Sequence, residues 1–412
     1  MRALDGIRVL DFTWVLAGPI LTRALAFHGA EVIRVETSKR LDPVVPFSPN
    51  YGETHAGKKS IGLNVGHPEG RKLFNRLLEV SDVVVDNYAA GVMERLGLGY
   101  EKLREVNPRI IQLTMPALGS SGPHKDDVTF GPNLHALSGL DHLTGYPEEI
   151  PGGVGMAYAD YAAPGHAFVA LMAALWDRDI TGEGQWIDLS QFEALVSVMG
   201  PELLATIVNG EDPIRQGNFS QYKAPYNCYP CRGEDKWCAI AVSTDDEWAR
   251  LCQAMGNPGL AQDTRFDTVL ARLKNRAELD GIISKWTARQ TSYEVMMTLQ
   301  RAGVAASMVQ DMPEVCKDPH LAAREFLQTD IPDHWHGKVN LGGIQVRLSS
   351  TPGWVKDAAP YMGEQNGLVF GELLGMAPEE IETLKAKGAI EEMKPEAYPY
   401  PSNYPARPKT KG

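Results

Sequence analysis

The chain reads as an α/β protein with a large doubly wound Rossmann-like domain, two long linkers and a small α+β domain set into it. Three observations predict this. Short β-branched runs alternate with amphipathic helical stretches as far as Thr114. The 412 residues exceed a typical single domain of about 100 to 150. The texture changes near Tyr226, where Cys, Tyr and Trp crowd a new strand pattern.

The first unit is βαβ. Ile7 to Phe12 is a strand run, Ala17 to His28 carries apolar residues at helical spacing, and Glu31 to Glu36 alternates into a second strand. Two further strands, Asp82 to Val85 and Arg109 to Thr114, follow the helical segments Pro68 to Glu79 and Tyr100 to Val106. Ligands of an open parallel sheet bind at the carboxyl ends of its strands, so Thr13 to Pro19, Glu36 to Arg40 and Asp86 to Gly91 should face one crevice. The glycine-rich stretch Gly119 to Gly155 reads as a functional loop region, because it also carries charged and aromatic residues. A long helix, Tyr161 to Arg178, a strand, Gln185 to Leu189, and a helix, Phe192 to Val208, complete this part.

Residues 1–208 are therefore expected to form the first part of the large domain, 209–225 a linker and 226–329 the small domain. Its expected elements are strand Trp237 to Val242, Asp245 as N-cap of a helix ending at Met255, and helices Val269 to Trp286 and Ser292 to Ala302. Residues 330–412 should hold a linker, a return to the large domain through strand Gly343 to Leu348 and helix Pro378 to Lys387, and a Pro-rich tail.

Composition excludes several function classes. Asp plus Glu outnumber Lys plus Arg by 52 to 40, a net charge of −12, so nucleic acid and anionic membrane are not expected partners. The apolar stretch Ala162 to Trp176 is shorter than the ~20 residues of a membrane span, and the first residues lack the pattern of a secretory signal, so the reading is cytoplasmic. Five cysteines do not suggest a disulfide framework. Cys228 and Cys231 have CxxC spacing, but nothing completes a zinc set and a turn at Pro230 explains the pair, so no metal is expected. Glu36 stands where a dinucleotide fold keeps its ribose carboxylate, yet the turn Thr13 to Pro19 holds one glycine where GxGxxG needs three.

One carboxylate stands out by position. Asp160 follows the loop Gly152 to Gly155 at the start of the long helix, where the macrodipole favours an ionised carboxylate and where an N-cap is the simpler role. His166 lies about 120 degrees away around the helix and does not partner it.

Leu4 to Thr13, Ala17-Gly18-Pro19, Gly29 to Glu36, Lys59 to Asn64, Asp86-Asn87-Tyr88 with Gly91 and Arg95, Leu137-Ser138-Gly139, Ala173-Ala174-Leu175 and Thr181 to Gln185 occur in an order that carries a specific likeness. The chain resembles the class III CoA-transferases, the family of formyl-CoA, carnitine and benzylsuccinate CoA-transferases, over nearly its whole length. The resemblance implies an acyl-CoA:carboxylate CoA-transferase in which Asp160 is the nucleophile, passing through an aspartyl anhydride and aspartyl-CoA. It implies no permanently bound cofactor, with the coenzyme A thioester as substrate. It also implies an interlocked dimer of ring-like protomers, or a hetero-oligomer with a paralogous subunit.

Carried over residue by residue, Val15, Leu63, Asn87, Tyr88 and Arg95 match positions that line coenzyme A, with Arg95 suited to a phosphate. Thr37 stands where relatives place an arginine, so Lys39 or Arg40 is expected to substitute. Leu16 replaces the glutamine of formyl-CoA transferases, and Phe130 replaces the histidine base of the acyl-CoA racemases, with His135 five residues away. A racemase and a partner-dependent, non-catalytic subunit are the alternatives. The segment Gly217 to Trp237 resembles the branch that moves CoA from succinyl-CoA to substituted succinates. Arg215, Lys223 and Arg232 offer cations there for a second carboxylate, and Phe219, Tyr222 and Tyr226 an apolar wall.

Overall fold

The computed structural model describes residues 1–355 and 357–399, so the tail from Tyr400 lies outside the described residues. Contacts divide the chain into two compact units: residues 1–140, 153–211 and 320–412, and residues 141–152 with 212–319. The second unit thus starts at 212 and takes in most of the stretch expected as linker, adds a short segment from the glycine-rich region, and ends at 319.

The first unit is built on a seven-stranded sheet. Its strands are β1 (Arg8–Asp11), β2 (Glu31–Glu36), β3 (Lys59–Leu63), β4 (Val83–Asp86), β5 (Ile111–Thr114) and β6 (Trp186–Asp188), and the last, two-residue strand Ile390–Glu391 closes one edge beside β3. All neighbours pair in parallel except that edge strand, which pairs antiparallel to β3. The order runs β3-β2-β1-β4-β5-β6, so strand order reverses between β1 and β4 and leaves a crevice at their carboxyl ends.

Alternation along the strands fills both faces, as a doubly covered sheet requires. Leu10, Ile33, Val35 and Val84 pack with Leu73, Phe74, Leu77 and Phe370 on one side. Val9, Val32, Val83 and Val85 pack with Leu21, Leu25, Ala167 and Leu171 on the other.

In the second unit, β7 (Tyr226–Pro230), β8 (Trp237–Ala241) and β9 (Ala305–Met308) form an antiparallel sheet in that order. Trp248, Phe266, Leu279, Val295 and Leu299 bury their side chains with Tyr229 and Ile240 from the sheet.

Several elements differ from the sequence reading, each for an identifiable reason. The helix expected over 192–208 is two, Gln191–Val198 and Gly200–Asn209, bent by 75°, because Pro201 lacks an amide and clashes with the preceding turn. The helix expected over 269–286 breaks at Asn275, whose side chain donates to the Ala271 carbonyl at 3.0 Å. Thr244, not Asp245, is the N-cap, its hydroxyl accepting from Glu247 N at 3.2 Å. Residues 343–348 are not a strand. The pairing there is the hairpin of β10 (Leu327–Asp333) and β11 (Gly337–Gly342), which ends as Gly343 N turns to the Phe326 carbonyl at 2.7 Å. Strand β3 and the edge strand were unread in the sequence. No single helix is long and apolar enough to cross a membrane among the described residues.

Candidate active site

The turn after β1 organises the site. Asp11, buried at the end of β1, accepts from Thr13 N at 2.9 Å and Thr22 Oγ1 at 2.7 Å, which ties the strand end to the second turn of the helix Ala17–Phe27. Lys58 is its counter-ion, its Nζ 3.1 Å from Asp11, 3.1 Å from the Pro19 carbonyl and 2.7 Å from Thr22 Oγ1. Burial pulls the Lys58 ammonium down to about 8, against the attraction of Asp11, so it remains charged at neutral pH.

Between Thr13 and Ala17 the chain takes an unusual path. Val15 has φ +63°, a left-handed conformation that costs a β-branched residue about 1–3 kcal/mol. The surroundings hold it there. Val15 N donates to both Asp42 oxygens at 3.2 and 3.3 Å, Trp14 N donates to Asn87 Oδ1 at 3.0 Å, and Asn87 Nδ2 donates to the Trp14 carbonyl at 2.9 Å. Gly18 then passes so close to Thr13 that a Cβ would collide with its side chain.

This path aims the helix N-terminus at Asp160. The helix end at Ala17, where Leu16 as N-cap residue offers no side-chain cap, packs against the helix of Asp160 through Ala163, and its Ala17 amide favours the ionised Asp160 carboxylate. Asp160 is the third residue of the helix Tyr158–Thr181, whose N-cap is Ala157, so the N-cap reading of Asp160 is corrected: the helix begins two residues earlier. Gly131 makes room for it, since a Cβ there would strike the Asp160 carboxylate. Burial pushes the Asp160 carboxyl above the ordinary aspartate range, with the Ala17 amide, and the His135 ring when protonated, pulling it back. His135 Nε2 accepts from Ala159 N at 3.2 Å and so occupies one free amide of the same helix end. His166 is exposed and hydrogen-bonded near Ala162 and Ser197.

A cavity of about 290 Å³ opens at the carboxyl ends of β1 to β4. Leu63, Tyr88, Lys39 and Arg40 line it, together with Thr13, Trp14 and Leu41. Trp14 packs edge-to-face on Tyr88, centroids 5.6 Å apart, and the Arg40 guanidinium lies 4.3 Å from the Trp14 ring centroid. Val15, Asn87 and Arg95 are not among the lining residues. Val15 and Asn87 shape the turn behind the wall, and Arg95 is exposed at the end of the short helix Val92–Arg95. Glu36 also lines the cavity, but it is committed to Arg34 at 3.2 Å and to Ser60.

The sequence reading missed Asp42 and Lys58. Neither belongs to a motif, and a fully buried lysine is invisible in a linear pattern. The backbone break at Val15 left no signal either, since glycine is the residue that marks such a turn.

The cations proposed for a second carboxylate lie in the other unit. Arg232 pairs with Glu294 at 3.3 Å and donates to the Arg289 carbonyl, Arg215 donates to the His142 carbonyl at 2.9 Å, and Lys223 sits 6.0 Å from the Tyr226 ring centroid. Phe219 and Tyr226 line a cavity of about 520 Å³ with Asn227 and Cys228, while Lys223 and Arg232 do not. Arg276, unread in the sequence, stacks 3.7 Å from the Phe219 centroid. No cluster of metal-binding side chains occurs among the described residues, and Cys228 and Cys231 are free thiols in the second unit.

Comparisons agree with this geometry. A family model described as CoA-transferase family III matches residues 4–366. The chain is 34% identical over 94% of its length, and 98% of the relative, to a succinyl-CoA–D-citramalate CoA-transferase of Chloroflexus aurantiacus. It is 34% identical over 90% of its length, and 96% of the relative, to a succinyl-CoA:mesaconate CoA-transferase of Haloarcula hispanica. A crystal structure of a CAIB/BAIF family protein from Brucella suis superposes with TM-score 0.82 at 28% identity, covering 90% of this chain and 99% of that one. The chain belongs to CoA-transferase family III.

Proposed function

We propose that this CoA-transferase moves coenzyme A from succinyl-CoA to a substituted C4 dicarboxylic acid through covalent intermediates on Asp160. The observation that carries the reading is the largely buried Asp160 carboxylate against Gly131, on the helix that packs on Ala17, three residues along the chain from the cavity wall at Trp14. Three residues span at most about 11 Å, so one turn joins a site for the nucleotide to a site for the thioester.

The chemistry balances without a net proton. An Asp160 oxygen attacks the thioester carbon, the C–S bond breaks, and CoA thiolate leaves an aspartyl anhydride. The thiolate attacks the aspartyl carbonyl, the anhydride C–O bond breaks, succinate departs and aspartyl-CoA remains. The acceptor carboxylate then attacks the aspartyl thioester and expels thiolate, which attacks the acceptor's own acyl carbon and frees Asp160. An ionised carboxylate needs no general base, only orientation and exclusion of water. When the aspartyl carbonyl becomes tetrahedral, the helix N-terminus at Ala17 would stabilise the oxygen that takes up the charge. The Gly152 amide is committed elsewhere, donating to the Thr144 carbonyl at 3.1 Å.

The cavity walls suit the ligand: Arg40 and Lys39 for phosphates, and Trp14 and Tyr88 as ring surfaces for a base. The named substrates of relatives, D-citramalate, mesaconate and glutarate, are all dicarboxylates, which supports an acceptor with two carboxyl groups. A racemase is disfavoured because Phe130 cannot accept a proton and His135 spends Nε2 on the Ala159 amide.

A second copy as partner is supported by the exposed apolar side chains Val169, Trp176, Ile180, Leu204, Ile207 and Val208, which a threaded dimer would cover. A paralogous partner is the second reading, because relatives include separate alpha and beta subunits of one malate enzyme.

The test is CoA exchange followed by mass, with succinyl-CoA and a panel of acids. Transfer to substituted succinates and an Asp160 acyl adduct trapped by hydroxylamine are expected. Full turnover by Asp160→Ala, or equal rates with simple monocarboxylates, overturns the reading. Activity appearing only with a second chain selects the heteromeric form.

A further inference from the structure

The geometry points to Asp42 as a positioning residue that acts on Asp160 through the backbone of Val15, an inference that rests on Asp160 being the nucleophile. Asp42 is nine-tenths buried, and both of its oxygens lie within 3.3 Å of the Val15 amide. It is itself immobilised, accepting from Val44 N at 2.9 Å and lying 3.5 Å from Arg34 and 3.7 Å from His55 Nε2.

A role as mere counter-ion does not account for it. Glu36 already stands beside the same Arg34 guanidinium, at 3.2 Å, and makes no contact with the turn that duplicates Asp42's. What Asp42 alone supplies is an acceptor for an amide that points inward only because Val15 is left-handed.

The consequence falls two residues on. Relaxation of Val15 to a negative φ redirects the chain entering Leu16 and Ala17, and with it the helix end that packs beside Ala163, one turn from Asp160. Thr13 and Gly18 are packed without room for another side-chain atom, so the turn has no slack to absorb the change. Asn87 holds the residue before, through both polar groups of the Trp14 backbone. Asp42 therefore sets how well Asp160 attacks, and because it also lines the cavity, its coupling to Val15 is what distinguishes this role from a binding contact.

The test is a double-mutant cycle on the full chain, with succinyl-CoA as probe. It reads the single-turnover rate of Asp160 adduct formation and the KM for acyl-CoA. Asp42→Asn should slow adduct formation about 10- to 100-fold, with KM read beside it because Asp42 also lines the cavity. In the Val15→Gly background the same substitution should cost less than about 3-fold, because glycine adopts positive φ without steric penalty. An equal cost in both backgrounds, or no cost in either, overturns the assignment. Should Asp42→Asn not fold, Asn87→Ala measured in both backgrounds reads the same coupling, and equal costs there also overturn it. Asp160→Asn separates the two readings. An adduct that survives in Asp160→Asn refutes the nucleophile itself, whereas its loss together with uncoupled Asp42→Asn effects refutes only the positioning role.

Discussion

Asp86 ends β4 with its carboxyl 2% exposed and without a cation beside it. Its Oδ1 accepts from Tyr88 N at 3.2 Å, and Oδ2 is buried beside the Gln112 side chain. Burial pushes its carboxyl from 3.8 up to about 8, with the Tyr88 amide and the Gln112 side chain opposing.

The sign follows from proton binding. Between the two values the folded state holds a proton that the unfolded chain releases, so stability falls as pH rises, by about 1.4 kcal/mol per pH unit for one group. Over pH 5.5 to 7.5 this amounts to about 3 kcal/mol, with the loss ending near pH 8. Asp86→Asn removes the titration while keeping shape and adding donors. The assay is urea unfolding of both proteins at fixed concentration across that range. The variant should gain on the native protein by about 3 kcal/mol from the lower to the higher pH. A difference that stays constant with pH refutes the reasoning, since it means that Asp86 is ionised in the folded protein.

Three further outcomes are expected. Arg40→Ala should raise the KM for acyl-CoA about 10-fold with little change in kcat, and Arg95→Ala less, since Arg40 lines the cavity and Arg95 does not; steady-state kinetics at fixed ionic strength decides the order. Lys58→Met leaves Asp11 buried beside no cation and should cost about 3–5 kcal/mol, read as a lowered denaturation midpoint; an unchanged midpoint removes the pair from the fold's supports. The acid limb of the single-turnover rate should fall above the ordinary aspartate range, because burial raises Asp160 and protonation silences it as pH drops; a limb at or below 3.8 contradicts the buried site.

The βαβ frame was legible because its strands and helices alternate with clean periodicity: Glu31–Glu36, Pro68–Glu79 and Tyr100–Val106 form over the expected residues. Strand β3 was harder, since Lys59 and Ser60 open it with polar side chains that become buried or paired only after folding. The two broken helices kept their apolar period across the break, and periodicity alone does not count the amide that Pro201 lacks. At the site, the crevice followed from topology, and Asp160 from resemblance rather than from any local pattern. Asn87 and Val15 were read as ligand contacts from the resemblance. Their hydrogen bonds also make them part of the turn's own scaffold.

The distribution of charge bears on how so acidic a chain would receive the anionic nucleotide of its proposed substrate. Of the cations near the crevice, Arg34 is consumed by Glu36, Asp42 and Tyr51, and Lys58 by Asp11, all in the interior. Those pairs cancel at short range and add little field outside. Lys39 and Arg40 remain exposed on the cavity rim, and at a Debye length of about 8 Å they act on a phosphate there while the distant surface acids are screened. The division has a chemical consequence at Asp160. In the proposed mechanism a fixed cation beside Asp160 would hold its carboxylate in the ground state, whereas a peptide amide would leave a lone pair free to attack. Confining the guanidinium and ammonium groups to the interior and the rim would then keep the reacting end of the turn polar but uncharged, as the proposed transfer between two anionic carboxylates requires.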